Sequence, residues 1–411
     1  MMASIRTDLK LTNNTPLQMV RIWVTDTDNY DWDGGSRPDH NFQNVSLTAY
    51  NSREEREELN YWASSAWYTL HMQFQNGDTI SYRNDQYDAR HDHKRKITLH
   101  GENAGKYIAT QVSGDNWNKI TISLRMPTSD WMDKIAGNSK LSELNLPGTH
   151  DTCALYGGDL AICQTQTLQE QLESGIRFID IRCRHIENRF AIHHGIMFQH
   201  LMFGGGVRDV CLKFLEDHPR ETIIMSVKHE YDDADDTRSF EDTFRWYLEG
   251  NESMWYLGET IPTLDEVRGK IVLLRRFKSN LSLGIDATAW KDDATFSIES
   301  SYAVLRIQDE YKVPTVFNIG NKWDHVKSLL DRAVDGAQTD WYLNFTSGTS
   351  AGAYPYTVAE GSLGIEGLNS HMYSYLDHIT TKRLGTIIMD FPNKPIPSLV
   401  ERIIATNKFS V

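Results

Sequence analysis

The chain has little cysteine: four residues in 411, at positions 153, 163, 183 and 211, with no C-x-x-C pair and no zinc-finger spacing. That pattern signals neither a disulfide scaffold nor a structural zinc, and reads as free thiols, with Cys183 and Cys211 in the core. A long apolar run is also lacking. Nothing approaches the roughly 18 residues of a membrane span, and the N-terminus, MMASIRTDLK, has no apolar stretch of a secretory signal. The sequence therefore reads as a soluble chain, with secreted and cytoplasmic locations both open. Positive charge is scarce as well. The formal net charge is −14, the wrong sign for a protein whose main work is gripping a nucleic-acid backbone.

What is present points to folded domains. Hydrophobic residues make up 40% and charged residues 24%, with eleven tryptophans spread along the chain, which suits packed cores rather than disorder. A length of 411 residues exceeds the ~250–300 at which one core stops growing, so two domains are expected. Up to about Arg125 the runs MVRIWVT, TLHMQF, KITLHG and KITISLR alternate apolar with polar residues, as half-buried antiparallel strands do. This predicts a small β-sandwich-like domain over 1–126, with residues 52–70 open between a short helix and an exposed loop. The segment HDHKRK, 91–96, reads as a solvated loop. Residues MPTSD, 126–130, mark the change of pattern and the start of a second domain, 127–411.

In that second part, short apolar runs alternate with helical segments: SELNLPGTH, RFIDIRCR, FAIHH, TIIMSVKHE, IVLLRRF, AVLRIQDEY, WYLNFTS and GTIIMDF. Eight such runs predict an α/β fold, a (β/α)8 TIM-like barrel or a distorted relative of it. Helices are expected from near Val207 through His218, over 324–337 and over 396–407, with Gly204 to Gly206 as a flexible entry to the first. Barrel chemistry is assembled at the C-terminal ends of the strands. Those ends carry His150, Asp151, Arg182, His193, His194, Lys228, Arg276, Asp309, Tyr311 and Asp390. His150 and His194 are the candidate proton-transfer pair, because imidazole titrates near neutrality. Asp151 and Asp390 are available to orient them, and the planar fork of Arg182 suits two phosphate oxygens. Acid, base and phosphate clamp together predict phosphoryl transfer. His193 is expected to pack, since adjacent strand residues face opposite ways.

LPGTHD (146–151), RFIDIRCR (177–184), IHHG (192–195), ETIIMSVKHEY (221–231), GKIVLLRRF (269–277), IQDEYKV (307–313), YLNFTS (342–347) and IIMDF (387–391) together resemble the bacterial phosphatidylinositol-specific phospholipase C. The resemblance is collinear over about residues 128–411. It implies that His150 takes the proton of the inositol 2-hydroxyl and that Asp390 orients it. The alkoxide would attack the adjacent phosphorus, giving a 1,2-cyclic inositol phosphate and diacylglycerol. By the same resemblance His194, paired with Asp151, is the general acid. Arg182 holds the phosphate with Asp180 beside it; Lys228, Arg276 and Asp309 bond inositol hydroxyls; Tyr311 lies against the ring. Animal relatives of the fold use carboxylates to bind calcium, one of them on the second strand. There FIDIRCR places Arg182, which cannot coordinate a cation but supplies positive charge. No cofactor and no metal are expected.

The resemblance also implies peripheral contact with membranes containing phosphatidylinositol, and activity that extends to glycosylphosphatidylinositol anchors; a monomer is expected. Secreted bacterial members carry tryptophans on the membrane-facing rim, whereas the matching stretches here, 155–167 and 347–361, have none. Leu155, Tyr156, Tyr354 and Tyr356 are the candidates for insertion. Five tryptophans, Trp23, Trp32, Trp62, Trp67 and Trp117, fall within 1–126, so that domain reads either as a lipid- or glycan-binding module or as a structural cap. Two further readings of the barrel are a metal-dependent glycerophosphodiesterase, which would need carboxylate ligands where Arg182 stands, and a toxin-like membrane-binding protein with an inactive barrel.

Overall fold

The computed structural model describes residues 4–32, 42–60, 66–85, 97–114 and 117–410. The segments around Trp62 and His91 to Lys96 lie outside these residues. The chain divides into two compact units: Met1–Met126 with Ser374–Thr381 and Lys408–Val411, and Pro127–Tyr373 with Lys382–Asn407. No described helix is long and apolar enough to cross a membrane.

The smaller unit is built of strands because its sequence alternates. In Trp67–Phe74 every second residue is buried, so Tyr68, Leu70, Met72 and Phe74 point inward at 1% exposure or less. This strand pairs with Met19–Asp28 and Thr79–Asp85. A second sheet runs in the order 52–55, 8–14, 117–124, 107–114. Leu9, Leu11, Ile120 and Ile122 of that sheet share one hydrophobic cluster with Ile22, Leu70, Met72 and Ile80 of the first, which makes the unit a sandwich. One pair departs from the antiparallel expectation: Asp8–Asn14 and Trp117–Leu124 are parallel, a pairing that only a long intervening segment permits. Residues 52–60 form two short strands rather than a helix.

The larger unit is a TIM-like barrel with a parallel wall. Its longer strands are β1 (Leu146–Thr149), β2 (Phe178–Ile186), β3 (Arg189–His194), β4 (Met197–Met202), β5 (Ile223–His229), β6 (Ile271–Arg276), β7 (Ala294–Glu299), β8 (Val304–Asp309), β9 (Asp340–Phe345) and β10 (Thr386–Met389). The wall runs β6-β5-β2-β1-β10-β9-β8, and every neighbouring pair in it is parallel. β9 and β10 are buried along their whole length, as strands covered on both faces must be. At one point the strands approach very closely: a Cβ on Gly148 would lie 2.8 Å from Phe178, so β1 can pack there only as glycine.

Among the described residues no ladder joins β6 to β8, so the barrel is open between them, and the antiparallel β7 covers β8 instead. The sequence count of eight parallel strands is corrected at FAIHH. β3 runs antiparallel to β2, because Glu187 and Asn188 both take positive φ (50° and 55°), the geometry of a two-residue hairpin turn. Gly204 to Gly206 are likewise no flexible entry. They lie within a π-helical turn, Gly204–Arg208, that continues into the helix Asp209–Asp217.

Candidate active site

β2 is longer than its parallel neighbours, and its last four residues pair with β3, the final three of them past the end of the ladder to β5. The hairpin therefore overshoots the rim and returns, setting His194 opposite the end of β1. His150 follows β1 directly, and Asp151 beside it adopts φ +38°, a left-handed conformation uncommon in a non-glycine residue. The Asp151 N–H donates to Asp180 Oδ2 at 3.0 Å, which holds that turn.

Around this point the sequence-predicted residues converge on one cavity of about 530 Å³. His150, Arg182, His194, Lys228, Arg276, Asp309, Tyr311 and Asp390 all line it. His150 Nδ1 lies 2.8 Å from Asp390 Oδ1, and its Nε2 lies 2.9 Å from Arg182 Nη2. With Nδ1 carrying the proton toward the carboxylate, Nε2 holds the lone pair and accepts from Arg182 Nη2 at the cavity wall. His194 Nδ1 lies 2.8 Å from Ala161 O and 3.3 Å from Asp151 Oδ2, leaving its Nε2 for the cavity side. The two rings stand 6.5 Å apart at 90°.

Positive charge sits between them. Arg182 Nε donates to Asp180 Oδ2 at 3.1 Å, and its Nη1 is 3.6 Å from Asp151 Oδ2. Arg276 Nη1 is 3.5 Å from Asp180 Oδ1. Asp180 is fully buried. Burial favours its neutral form, but Arg182 and Arg276 overcome that and hold its carboxyl far below the usual range. Asp151 goes the other way: burial raises it, and Arg182 and His194 only partly oppose. Burial pulls the His150 imidazole down, yet the charge and hydrogen bond of Asp390 more than offset this, so its proton affinity is raised. His150, Cys163 and Asp390 are close enough to suggest a metal. Both nitrogens of His150 are already engaged, by Asp390 and Arg182, and an arginine stands among the carboxylates where a cation would otherwise gather them.

The inositol-binding candidates form the opposite wall. Lys228 Nζ lies 2.6 Å from Glu230 Oε2. Burial, with Arg182 adding repulsion, lowers the lysine; Lys228 and Arg182 bring Glu230 down to about 2 against the effect of its own burial. Tyr311 OH donates to Asp292 Oδ1 at 2.9 Å.

Sequence reasoning missed Trp290, on whose ring Arg276 stacks at 3.8 Å and whose Nε1 donates to Asp309 Oδ2 at 2.9 Å. It precedes β7 in a loop with no periodicity, and only folding brings it across to β6. Glu230, at the end of the run TIIMSVKHE, was missed although the strand-end pattern marks it; Gln164 and Asn369 were missed because only folding brings them to the site. Gln164 Nε2 donates to His150 O (2.8 Å) and Met389 O (3.0 Å), while Asn369 Nδ2 donates to Asp390 O (3.0 Å). They brace the backbone behind the two histidine supports. His193 is buried with Nδ1 3.3 Å from Gly195 O. All four cysteines are free and buried, and Cys163 reaches the cavity wall.

Of the candidates for membrane contact, Tyr156 is 50% exposed and Tyr356 is exposed too, whereas Leu155 and Tyr354 are half-buried. A run of exposed apolar residues lies elsewhere, in the β3–β4 hairpin: Ile196 is 69% exposed, with Met197, Phe198 and Met202 also exposed. The Tyr156 ring meets His200 at 4.8 Å and Phe198 meets His200 at 5.2 Å, so these residues form one surface. The run GIMFQHLMF was a legible signal for it.

Comparison with known proteins agrees with this geometry. The phosphatidylinositol-specific phospholipase C X-domain family matches residues 148–277, all within the larger unit. The 1-phosphatidylinositol phosphodiesterase of Staphylococcus aureus strain Newman is 33% identical over 319 residues, covering 70% of this chain and 96% of that protein. The enzyme of the same name from Listeria monocytogenes is 32% identical over 315 residues, with 72% and 90% coverage. A solved structure of the Staphylococcus aureus phosphatidylinositol-specific phospholipase C, from work on its membrane binding, superposes with a TM-score of 0.62 at 31% identity, covering 70% of this chain and 100% of that one. The chain belongs to the phosphatidylinositol-specific phospholipase C family.

Proposed function

We propose that this protein cleaves phosphatidylinositol to diacylglycerol and a 1,2-cyclic inositol phosphate by general acid and base catalysis without a metal. The observation that carries this is Arg182, whose guanidinium contacts both His150 Nε2 and Asp180 within 3.1 Å and supplies fixed positive charge where phosphate oxygens would bind. His150 Nε2 removes the proton of the inositol 2-hydroxyl, and Asp390 stabilises the resulting imidazolium. The alkoxide forms the new P–O bond as the bond to the glycerol oxygen breaks. His194, held by Ala161 O and Asp151, gives that oxygen its proton. Lys228, Arg276, Asp309 and Tyr311 hold the inositol ring, with Trp290 keeping Arg276 and Asp309 in place. The same acid and base would serve a glycosylated inositol anchor.

The exposed apolar residues of the β3–β4 hairpin, together with Tyr156 and Tyr356, support peripheral contact with the bilayer that holds the substrate. A single copy of the chain supplies every residue named here, which favours a monomer as the active unit. Phosphatidylinositol hydrolysis in excess chelator is the decisive assay. Undiminished release of cyclic inositol phosphate is the expected result; activity lost to chelator and restored by calcium or magnesium would overturn the role of Arg182.

A further inference from the structure

Beyond the catalytic mouth, a second set of imidazoles and carboxylates converges where the acidic loop 230–238 meets the outer half of β2. His185, on β2, is fully buried. Its Nε2 lies 2.8 Å from Thr243 Oγ1 and 3.2 Å from Asp236 Oδ1. Its Nδ1 is 3.9 Å from Asp233 Oδ2, beyond hydrogen-bond reach, and has no hydrogen-bond partner among the described residues. The other oxygen of Asp233 takes His229 Nε2 at 2.5 Å. Ligand atoms of His185, Asp233 and Asp236 all fall within 4.8 Å of one another. A buried ring nitrogen is rarely left unpaired, and this one is aimed at a carboxylate that already holds a second imidazole.

We propose that His185, Asp233 and Asp236 form a binding site for a transition-metal dication such as Zn²⁺, with His229 holding Asp233 from outside. The tautomer fits: Nδ1 of His185 and Oδ2 of Asp236 are both buried without a hydrogen-bond partner among the described residues, and the His185 Nε2–H can donate to Thr243, as the second nitrogen of a metal-bound histidine commonly does. A buried imidazole with two carboxylates suits zinc and its neighbours better than calcium or magnesium, which prefer all-oxygen sets. Metal–ligand distances of about 2.0–2.2 Å place ligand atoms roughly 3.3 Å apart, so His185 and Asp233, now 3.9 Å apart, close by about half an ångström when the ion binds. His229 and Asp233 are 34% and 48% exposed in their side chains, which gives the ion a way in. The site is separate from the catalytic pair. His229, which holds Asp233, lies between Lys228 and Glu230 and lines the cavity with them.

The test is calorimetric titration of Zn²⁺ into the chelator-stripped full chain and four variants, with melting temperature as a second readout. One tight equivalent is expected in the wild-type chain, and His150→Ala should retain it. His185→Gln and Asp233→Asn should each weaken binding by at least about tenfold and lose the zinc-induced rise in melting temperature. Asp233 is exposed, so Asp233→Asn keeps the test valid if His185→Gln does not fold; Asp236→Asn should weaken binding comparably. Absence of a tight equivalent overturns the proposal. So does an equivalent that survives Asp233→Asn but disappears with His150→Ala, since that would place the ion on the catalytic histidine and Cys163.

Discussion

The two ends of the barrel wall each bury arginine, and they treat it differently. At the N-terminal end, Arg177 precedes β2 and forms an ion pair with Glu221 at 2.7 Å, both side chains at 0% exposure. All five of its N–H groups are used: Nε on Glu221, Nη1 on Leu172 O and Ile176 O, Nη2 on Thr128 O and Ser129 O. Glu221 also accepts from the Met132 N–H. At the C-terminal end, Arg276 is nearly as deeply buried, yet its Nε and Nη1 have no hydrogen-bond partner among the described residues. The same side chain is therefore saturated at one end and short of acceptors at the other, where it lines the cavity. A saturated buried charge fixes the fold; an unsaturated one facing a cavity is a place for substrate.

The largest effects should come from removing proton carriers at the open end. His150→Ala and His194→Ala are each expected to lower phosphatidylinositol turnover by about 10²- to 10⁴-fold while circular dichroism and melting temperature stay near wild type. A variant that retained near-native turnover would remove that histidine from the mechanism.

The closed end should answer in stability instead. Arg177→Ala strands the fully buried Glu221 and is expected to cost about 3–5 kcal/mol in urea unfolding. Arg276→Ala should leave stability nearly unchanged, and raise KM for a soluble inositol phosphodiester. Equal destabilisation by the two substitutions would dissolve the distinction between the ends.

A smaller effect sharpens the electrostatics. His150 must be neutral to accept a proton, and Asp390 raises its pKa. Activity therefore rises as pH climbs through that raised value. Asp390→Asn removes the support, so the acid limb of kcat/KM should move to lower pH while the plateau falls. A limb that stays in place would show that another group sets it.

The smallest effects concern attachment. Burying one large apolar side chain contributes about 1.5–3 kcal/mol, so Ile196→Ser with Phe198→Ala should reduce partitioning to phosphatidylinositol vesicles more than tenfold, with soluble-substrate turnover little changed. Trp117, 39% exposed, tests whether the smaller unit shares this work. Trp32 is core; Arg21 and Arg83 cover the rings of Trp23 and Trp67. Vesicle binding unaltered by Trp117→Ala would favour the structural-cap reading. Truncation at residue 126 is a poorer test, because residues 374–381 and 408–411 belong to the same unit and would lose their neighbours.

Sequence alone determined the elements whose physics is local or repetitive. Alternation in WYTLHMQF sets which residues of that strand are buried, and the apolar runs TIIMSV and IVLL mark strands covered on both faces. The polar residues that end those runs marked the mouth. Tertiary structure decided whatever depends on the path between elements. FAIHH has the same composition as a barrel strand, but a two-residue turn at Glu187 and Asn188 sends it back against β2, which puts His194 at the rim. Trp290 reaches Arg276 and Asp309, and His185 reaches Asp233 and Asp236, across loops whose course no periodicity encodes. Burial then gave identical residue types opposite tasks: Arg177 and Arg276 differ only in which acceptors the folded chain brings to them, and that is a property of three-dimensional packing.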